Sequence, residues 1–286
     1  MARFPEWLRR GLPTLLSRQT SVILERYRLN TVCESALCPN RSECWSHRTA
    51  TFMILGIRCT RRCGFCAVQT GKPGSVEADE PERLAKAACA LGLEYVVVTS
   101  VARDDLADEG AGHFYRSIQA LKARIPGIRV EVLTPDFHAR PELMGRVCEA
   151  GPSVYNHNLE TVARLQRRVR PQAGYERSLQ VIRWVSESFP EICTKSGLML
   201  GLGETEEEVL EASGDLREAG CEILTLGQYL SPSEEHLEVR EFIPPEVFQR
   251  LADRIRQMGF REVYAGPYVR SSYHAAETFR GSIRGN

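Results

Sequence analysis

The sequence lacks an excess of charge of either sign, and it lacks an apolar run long enough to cross a membrane. Its 286 residues include 37 basic and 37 acidic side chains, with no block of like charge. This balance gives no reason to predict nucleic-acid or membrane-surface binding. Prolines 5 and 13 interrupt the amino terminus, so it lacks the continuous apolar core of a secretory signal. We therefore predict a cytoplasmic protein with no nucleic acid and no membrane among its partners.

A stretch with C-x3-C-x2-C spacing lacks a fourth cysteine. Its thiols belong to Cys59, Cys63 and Cys66. Three thiolates bind three irons of a four-iron cluster and leave one iron open, whereas clusters that only carry electrons are usually fully ligated by cysteine. An open metal position lets a substrate bind the metal. Arg58, Arg61 and Arg62 are expected to keep the thiols deprotonated and to offset the cluster charge. A structural zinc loop is the alternative, but it usually needs two cysteine pairs.

A second set of three cysteines precedes the first, at C-x4-C-x5-C spacing. It consists of Cys33, Cys38 and Cys44. The loop is polar and contains Pro39 and Asn40, so its thiols are available as ligands. This set predicts a second cluster that needs a non-cysteine ligand or has an open iron, with a zinc site completed by His47 as the alternative. The remaining cysteines are isolated and are predicted to be core thiols, namely Cys89, Cys148, Cys193 and Cys221.

Apolar segments and helical patterns alternate from Thr51 onward. Strands are predicted at 51–57, 95–99, 130–133, 154–156, 197–200 and 223–226. Helices are predicted near 80–92, 112–124, 139–150, 174–188, 204–219 and 244–258. Six β–α repeats without hairpins predict an α/β fold. We assign it to a partial (β/α)6 TIM-like barrel rather than an open doubly wound sheet.

Three segments follow from this pattern. Residues 1–48 are predicted to be an N-terminal extension with an amphipathic start and the first cysteine loop, and residues 49–264 the partial barrel. Residues 265–286 form a C-terminal tail with the motif Arg270-Ser271-Ser272-Tyr273. The tail either lies in solvent or folds back onto the cluster that lacks a ligand.

The first trio, with aromatic Phe65 before its last cysteine, resembles the signature of the radical S-adenosylmethionine (SAM) superfamily. The resemblance implies that SAM chelates the open iron. Polar residues follow the strands, where barrel enzymes have their active sites. We predict cofactor-binding roles for Thr99, Asp104, Asn158, Glu160, Lys195 and Gln228. Asp104 is equally consistent with a helix cap.

The chain also resembles the lipoyl synthase family, from about residue 5 to 276. The resemblance rests on both cysteine spacings, on Arg-Ser-Ser-Tyr, and on four further stretches at 49–56, 99–106, 156–162 and 195–204. Tyr268 departs from the leucine that the family commonly has there.

This resemblance implies two 4Fe–4S clusters and SAM as cofactors. The catalytic cluster would lie on Cys59, Cys63 and Cys66, and an auxiliary cluster on Cys33, Cys38, Cys44 and a serine, placed at Ser272 with Ser271 as the fallback. The implied reaction is insertion of two sulfur atoms, taken from the auxiliary cluster, at carbons six and eight of a protein-bound octanoyl-lysine, with two SAM per lipoyl group.

The implied partners are octanoylated lipoyl carrier domains, which are 2-oxoacid dehydrogenase acyltransferase subunits or the glycine-cleavage H protein. A reductant such as ferredoxin or flavodoxin is also implied. One alternative is another two-cluster radical SAM enzyme of the methylthiotransferase type, which would need an RNA-binding domain that is not seen. The other is a non-catalytic zinc or iron–sulfur module.

Overall fold

The computed structural model of the chain describes residues 5–8, 15–47 and 50–277. Its strands are β1 (Asn30–Thr31), β2 (Thr51–Ile54), β3 (Arg58–Cys59), β4 (Gln69–Thr70), β5 (Tyr95–Ser100), β6 (Arg129–Leu133), β7 (Val154–Asn156), β8 (Cys193–Leu200), β9 (Ile223–Gln228) and β10 (Glu262–Gly266). Its α-helices are α1 (Leu15–Arg26), α2 (Val32–Ser35), α3 (Arg41–Ser46), α4 (Glu80–Leu91), α5 (Ala111–Arg124), α6 (Pro141–Cys148), α7 (Gln166–Val169), α8 (Tyr175–Ser188), α9 (Glu206–Glu218) and α10 (Pro245–Arg256). Short 3-10 turns lie at Glu6–Leu8, Phe137–Ala139 and Ala163–Leu165.

One eight-stranded sheet forms the centre of the fold, in the order β1-β2-β5-β6-β7-β8-β9-β10. From β2 to β10 every neighbouring pair is parallel, and β1 joins β2 as an antiparallel edge. The connections between parallel strands contain helices, as crossovers require. The predicted α/β fold with six parallel strands is confirmed.

A seventh parallel strand, β10, was not predicted. Its sequence, Glu-Val-Tyr-Ala-Gly, has neither a continuous apolar run nor a clear alternation, and four of its five residues are half-buried. Pairing with β9 holds it in place, with Tyr264 opposite Thr225 and Gly266 opposite Gly227. The sheet therefore extends two residues past the predicted barrel end at 264, while the other predicted boundary, at 48/49, lies outside the described residues.

The core lies between the sheet and its helices. Valines 96, 98, 130 and 132, on the inner strands, are at most 1% exposed. Helix α4 packs a stripe of leucines and alanines against this core and ends at Gly92, whose left-handed conformation (φ 68°) suits a residue without a side chain. Cys89 lies on the opposite side of α4 and is exposed, so its predicted core position is wrong. Cys148, Cys193 and Cys221 are buried as predicted.

The N-terminal extension covers one side of this core. Helix α1 packs on α3 and α4, and Leu24 is 2% exposed. The buried Thr20 hydroxyl donates to the Trp45 carbonyl oxygen at 2.8 Å, which ties α1 to the end of α3. Across the described residues, no helix has both the length and the apolar character that a membrane crossing requires.

Candidate active site

The loop with Cys59, Cys63 and Cys66 lies across the carboxyl ends of the parallel strands. It leaves β2 through Leu55 and Gly56, both left-handed (φ 69° and 93°), which turns the chain over the rim. Thr60 N–H then donates to the Ala102 carbonyl (3.1 Å), after β5. Gly64 donates to the Val169 carbonyl (2.9 Å), after β7, and accepts from Leu237 N–H (3.0 Å), after β9. Backbone bonds to three rim segments therefore fix this loop.

Arg61 anchors the same loop through its side chain. It is 6% exposed, donates Nε and Nη2 to Asp104, and contacts the fully buried Asp136 at 2.8 Å. Burial alone would lower the Arg61 pKa, but the hydrogen bonds to both carboxylates outweigh burial and raise it. Burial also opposes ionisation of Asp136, but Arg61 holds the Asp136 pKa below its usual range. Asp104 is therefore a partner of the cysteine loop rather than a helix cap.

A strained turn presents Asp136 to Arg61. Phe137, His138 and Ala139 follow β6 with positive φ of 44°, 48° and 53°, a conformation that costs free energy in residues with side chains. The Asp136 carboxylate accepts from His138 N–H at 3.1 Å, and Arg177 contacts its other oxygen at 3.2 Å. No signal in the sequence marks this turn, because none of its residues is glycine.

Two thiols of the loop, those of Cys63 and Cys66, have raised rather than lowered pKa values despite their arginine neighbours. Burial raises the pKa of Cys63, and it raises the pKa of Cys66 to about 12. Arg170 and Arg61 oppose the shift at Cys63 but do not overcome desolvation. At Cys63 and Cys66 the arginines therefore do not by themselves outweigh burial, and a bound metal would displace the thiol protons, as metals commonly do.

The sulfur atoms are too widely spaced for a single tetrahedral ion. Among the described residues, Asp104, Glu109 and His138 form the one set of three whose candidate ligand atoms all lie within 4.8 Å of one another. In each cysteine trio at least one pair of sulfur atoms is therefore more than 4.8 Å apart. This distance is longer than the ~3.8 Å sulfur–sulfur separation around tetrahedral zinc. We assign no ion to the Asp104 set, because Arg61 and Arg140 already pair with its two carboxylates.

Asn158 and Glu160 follow β7 and lie at the centre of the rim. Glu160 is left-handed (φ 70°), and its backbone bridges to Leu198 of β8. Asn158 Nδ2 donates to Glu160 Oε1 (3.1 Å) and to Ser271 Oγ of the tail (3.2 Å). Burial raises the Glu160 pKa, opposed by Arg170, by the Asn158 hydrogen bond and by Arg270. Asn158 Oδ1 is buried and has no partner in the described structure.

Three other predicted cofactor residues are engaged inside the barrel. Thr99 donates to the Leu133 carbonyl at 2.9 Å. Lys195 is the third residue of β8, is 1% exposed, and pairs with Glu131 at 3.0 Å. Gln228 donates to three carbonyls and accepts from Ile243 N–H (2.8 Å). The structure therefore does not bring these three side chains to Asn158 and Glu160.

The other cysteine loop is formed by the short helices α2 and α3. Cys33 is buried, which raises its pKa to about 11, and Cys38 and Cys44 are half-buried. The C-terminal tail folds back onto this loop. Asn40 Nδ2 donates to the Tyr268 carbonyl (2.6 Å), and the Tyr273 hydroxyl donates to Glu43 (2.8 Å). The solvated-tail alternative is wrong, because the tail residues 268–273 contact the loop.

Gly227 makes room for this path of the tail, and sequence analysis did not identify it. A Cβ atom there would meet the Val269 carbonyl oxygen at 2.0 Å and Arg270 Nη1 at 3.3 Å. Only glycine permits such an approach between a strand and a following backbone. A glycine within an apolar strand pattern was the available signal.

Comparisons with known proteins agree with this geometry. The family model of the radical SAM superfamily matches residues 53–216. The chain is 53% identical to the lipoyl synthase of Caldanaerobacter subterraneus, over 96% of each chain. It is 54% identical to the lipoyl synthase of Thermus thermophilus, over 96% of this chain and 86% of that one. The chain belongs to the lipoyl synthase family.

Solved structures support the fold of the family. Methylornithine synthase (PylB) has a TM-score of 0.53 at 14% identity, over 96% of this chain and 90% of that one. Streptococcus suis SuiB bound to S-adenosylmethionine has a TM-score of 0.59 at 13% identity, over 79% of this chain and 53% of that one. These likenesses concern the fold alone.

As a member of the lipoyl synthase family, the chain is a radical SAM enzyme that uses SAM and 4Fe–4S clusters. The donor set fits them: all six clustered cysteines are free thiols, in two sets of three. Buried polar atoms without partners in the described structure lie at the rim, among them Ser100 Oγ, Asn156 Oδ1 and Asn158 Oδ1. Family membership sets aside both the methylthiotransferase alternative and the non-catalytic module.

Proposed function

We propose that the two cysteine loops divide lipoyl synthesis between them. The loop on the rim serves SAM cleavage, and the loop under the tail supplies the sulfur that enters carbons six and eight of a protein-bound octanoyl-lysine. The observation that carries the proposal is the path of the tail. Residues 268–273 contact the Cys33–Cys44 loop on one side and, through Ser271, Asn158 of the rim on the other.

When bound, SAM and the cluster on Cys59, Cys63 and Cys66 supply radical hydrogen abstraction, which an unactivated methylene needs because it has no acidic proton for a side-chain base. The chain contributes binding, orientation and exclusion of water. We assign cofactor contact to Asn158 and Glu160, whose polar atoms lie at the rim beside the tail. Thr99, Asp104, Lys195 and Gln228 are assigned supporting roles, because internal partners occupy their side chains.

Ser272 is our choice of the fourth auxiliary ligand, beside Cys33, Cys38 and Cys44. The Ser271 hydroxyl accepts from Asn158, whereas the Ser272 hydroxyl makes no hydrogen bond within the described part of the chain. The neighbouring Tyr273 bonds to Glu43, which precedes Cys44. A serine oxygen is a harder and less natural ligand than thiolate for iron in a sulfur cluster, so it can protonate and leave when the cluster is dismantled.

The partners of this reaction follow from its chemistry. The substrate is an octanoylated lipoyl carrier protein, and we propose both the acyltransferase subunits of 2-oxoacid dehydrogenases and the glycine-cleavage H protein as carriers. We propose ferredoxin or flavodoxin as the reductant. A cytoplasmic location belongs to the proposal, because ten free thiols suit a reducing compartment.

The test is anaerobic turnover with an octanoyl-lysine peptide, SAM and reductant. Wild type should add the mass of two sulfurs and release deoxyadenosine. Ser272→Cys should keep the auxiliary cluster and cleave SAM but lose sulfur insertion. Ser271→Ala is the matched control and should retain more than a tenth of the insertion rate. Undiminished lipoyl formation by Ser272→Cys would reject the ligand assignment, and no mass gain by wild type would reject the function.

A further inference from the structure

Two segments of this neutral protein contain basic residues and no acidic ones. Residues 57–76 include four cations, at 58, 61, 62 and 72, and residues 161–175 include four arginines, at 164, 167, 168 and 170. The segments are about a hundred residues apart in the chain. In sequence they appear as two short basic stretches that acidic stretches elsewhere balance.

The fold places these two segments side by side. Arg62 N–H donates to Gln172 Oε1 at 2.6 Å, Gln172 Nε2 donates to the Thr60 carbonyl at 3.5 Å, and Gly64 N–H donates to the Val169 carbonyl at 2.9 Å. The cluster loop and the segment around α7 therefore form one continuous surface.

Three of the eight cations are used internally. Arg61 pairs with Asp104 and Asp136, Arg164 pairs with Glu208, and Arg170 donates to backbone carbonyls. The other five are exposed and have no ion pair within the described residues. We call them the basic face: Arg58, Arg62, Lys72, Arg167 and Arg168.

The basic face lies on the outer side of the cluster loop. Two adjacent residues distinguish the inner and outer sides of the loop, since the Arg61 side chain is buried whereas that of Arg62 is exposed. Cys63 and Cys66 of the same loop are half-buried. Ile57, at 48% exposure, adds an apolar contact to the face. The exposed Glu234 and Glu235 mark its edge, because the loop they belong to contacts Cys66 through His236.

The position selects the kind of partner. Under the proposed function the reacting carbons lie on the inner side of the loop, because the unpartnered Asn158 Oδ1 and the tail are on that side. The outer side is then free for delivery of the electron that SAM cleavage consumes. Five unpaired cations attract an acidic protein and accelerate its association.

We propose that the basic face is the docking surface for an acidic one-electron donor protein. Docking there brings the donor against the outer side of the loop that carries Cys63 and Cys66, the residues that would hold the cluster. The inference rests on the proposed function, because it assumes that the rim loop holds the cluster that is reduced.

Charge reversal away from the cysteine loop tests the proposal. The variants are the double substitution Arg167→Glu/Arg168→Glu and the single substitution Lys72→Glu, studied in the holoenzyme. Arg183→Glu is the matched control, an exposed arginine about 12 Å along α8 from its start at the rim. Stopped-flow spectroscopy measures cluster reduction by flavodoxin and, separately, by dithionite.

We expect the double variant to slow reduction by flavodoxin by at least tenfold at low ionic strength, and to lose most of this difference in high salt. Lys72→Glu should have a smaller effect in the same direction. Reduction of the double variant by dithionite should stay within about twofold of wild type, since a small ion needs no docking surface. Reduction of Arg183→Glu by flavodoxin should also stay within about twofold of wild type.

Two results would overturn the proposal. The first is a double variant whose cluster is reduced by flavodoxin as fast as that of wild type. If the turnover of that variant is slow only with the intact octanoylated carrier as substrate, the basic face binds the carrier. Equal slowing with dithionite would show damage to the cluster site instead of lost docking. Wild type that is reduced normally but forms no lipoyl group would reject the proposed function and leave the docking inference standing.

Discussion

The two cysteine loops differ in what holds them. The loop of Cys59 to Cys66 is bonded to rim segments that follow β5, β6, β7 and β9, so the whole sheet supports it. The loop of Cys33 to Cys44 is supported by the sheet at one end only, where it follows the edge strand β1 and α2 contacts β2. Its other contacts come from α1, through Thr20, and from the tail, through hydrogen bonds that span 228 and 230 residues.

This difference suits two clusters with different fates. Segments held by a few hydrogen bonds open at lower free energy than elements buried in a sheet. The tail contacts of the Cys33–Cys44 loop can therefore open without disturbing the barrel. Under the proposed function, the rim cluster is used intact in each turnover, whereas the auxiliary cluster gives up sulfide and must be rebuilt. The rigid support belongs to the first and the releasable support to the second.

Single cysteine substitutions should separate the loops most strongly. Cys63→Ala should abolish SAM cleavage, because the rim cluster loses a ligand, and each trio variant should lose about four iron atoms. Cys38→Ala should abolish sulfur insertion but keep SAM cleavage within about twofold. Deoxyadenosine release and iron per chain are the measurements. Loss of SAM cleavage in Cys38→Ala would mean that the loops are not independent.

A glycine pair in adjacent strands tests the support from the tail. Gly227→Ala should displace the tail, because its Cβ would lie 2.0 Å from a backbone oxygen. Sulfur insertion should fall about tenfold or more, with SAM cleavage retained. Gly266→Ala is the control in the register-paired position, where the nearest atom is 3.5 Å away. Limited proteolysis should cut the tail faster in Gly227→Ala only; equal cleavage of both variants would argue against this role.

The rim anchor should respond to loss of one carboxylate. Asp136→Asn leaves the buried Arg61 guanidinium with only Asp104, and removing one partner of a buried pair typically costs about 3–5 kcal/mol of unfolding free energy. Urea denaturation at neutral pH measures it. Glu82→Gln is the matched control, because its exposed pair with Arg124 should contribute less than about 1 kcal/mol. Equal losses of unfolding free energy in the two variants would mean that the Arg61–Asp136 pair stabilises the protein no more than an exposed ion pair.

Acid should destabilise the protein at the rim. His157 is buried beneath the rim, and burial together with Arg170 lowers its pKa to about 4. The neutral imidazole is therefore the native form. Between its unfolded pKa near ~6.5 and 4, the unfolded chain binds a proton that the native chain does not, so stability falls as pH falls.

The expected loss is about 2 kcal/mol between pH 7 and pH 5, measured by urea denaturation of protein without its clusters. His157→Gln should show a flatter pH profile in this window, because it has no imidazole to protonate. His236→Gln is the control and should keep the wild-type slope; this half-buried loop histidine bonds the Ser233 hydroxyl and the Cys66 carbonyl instead of lying in the core. A wild-type slope in His157→Gln would contradict the assignment.

Part of the site could be predicted from local pattern. Cysteine spacing, the alternation of apolar strands with helices and the Arg-Ser-Ser-Tyr motif depend on neighbours in the chain, so the sequence displays them directly. Strand β10 could not be predicted, because pairing with β9, and not its own pattern, holds it in the sheet. Lys195 and Gln228 were expected at the rim, but a position near a strand end does not reveal whether its side chain has internal partners.

Arg61 and Arg62 show where the sequence by itself stops. They are adjacent, chemically identical and lie between the same two cysteines, and the sequence determined only their number and spacing. The tertiary structure decided that one is buried between two carboxylates and the other lies on an exposed basic face. The physical reason is that ligand spacing is a property of the covalent chain, whereas the partners and the exposure of a charge depend on which distant segments the fold brings beside it.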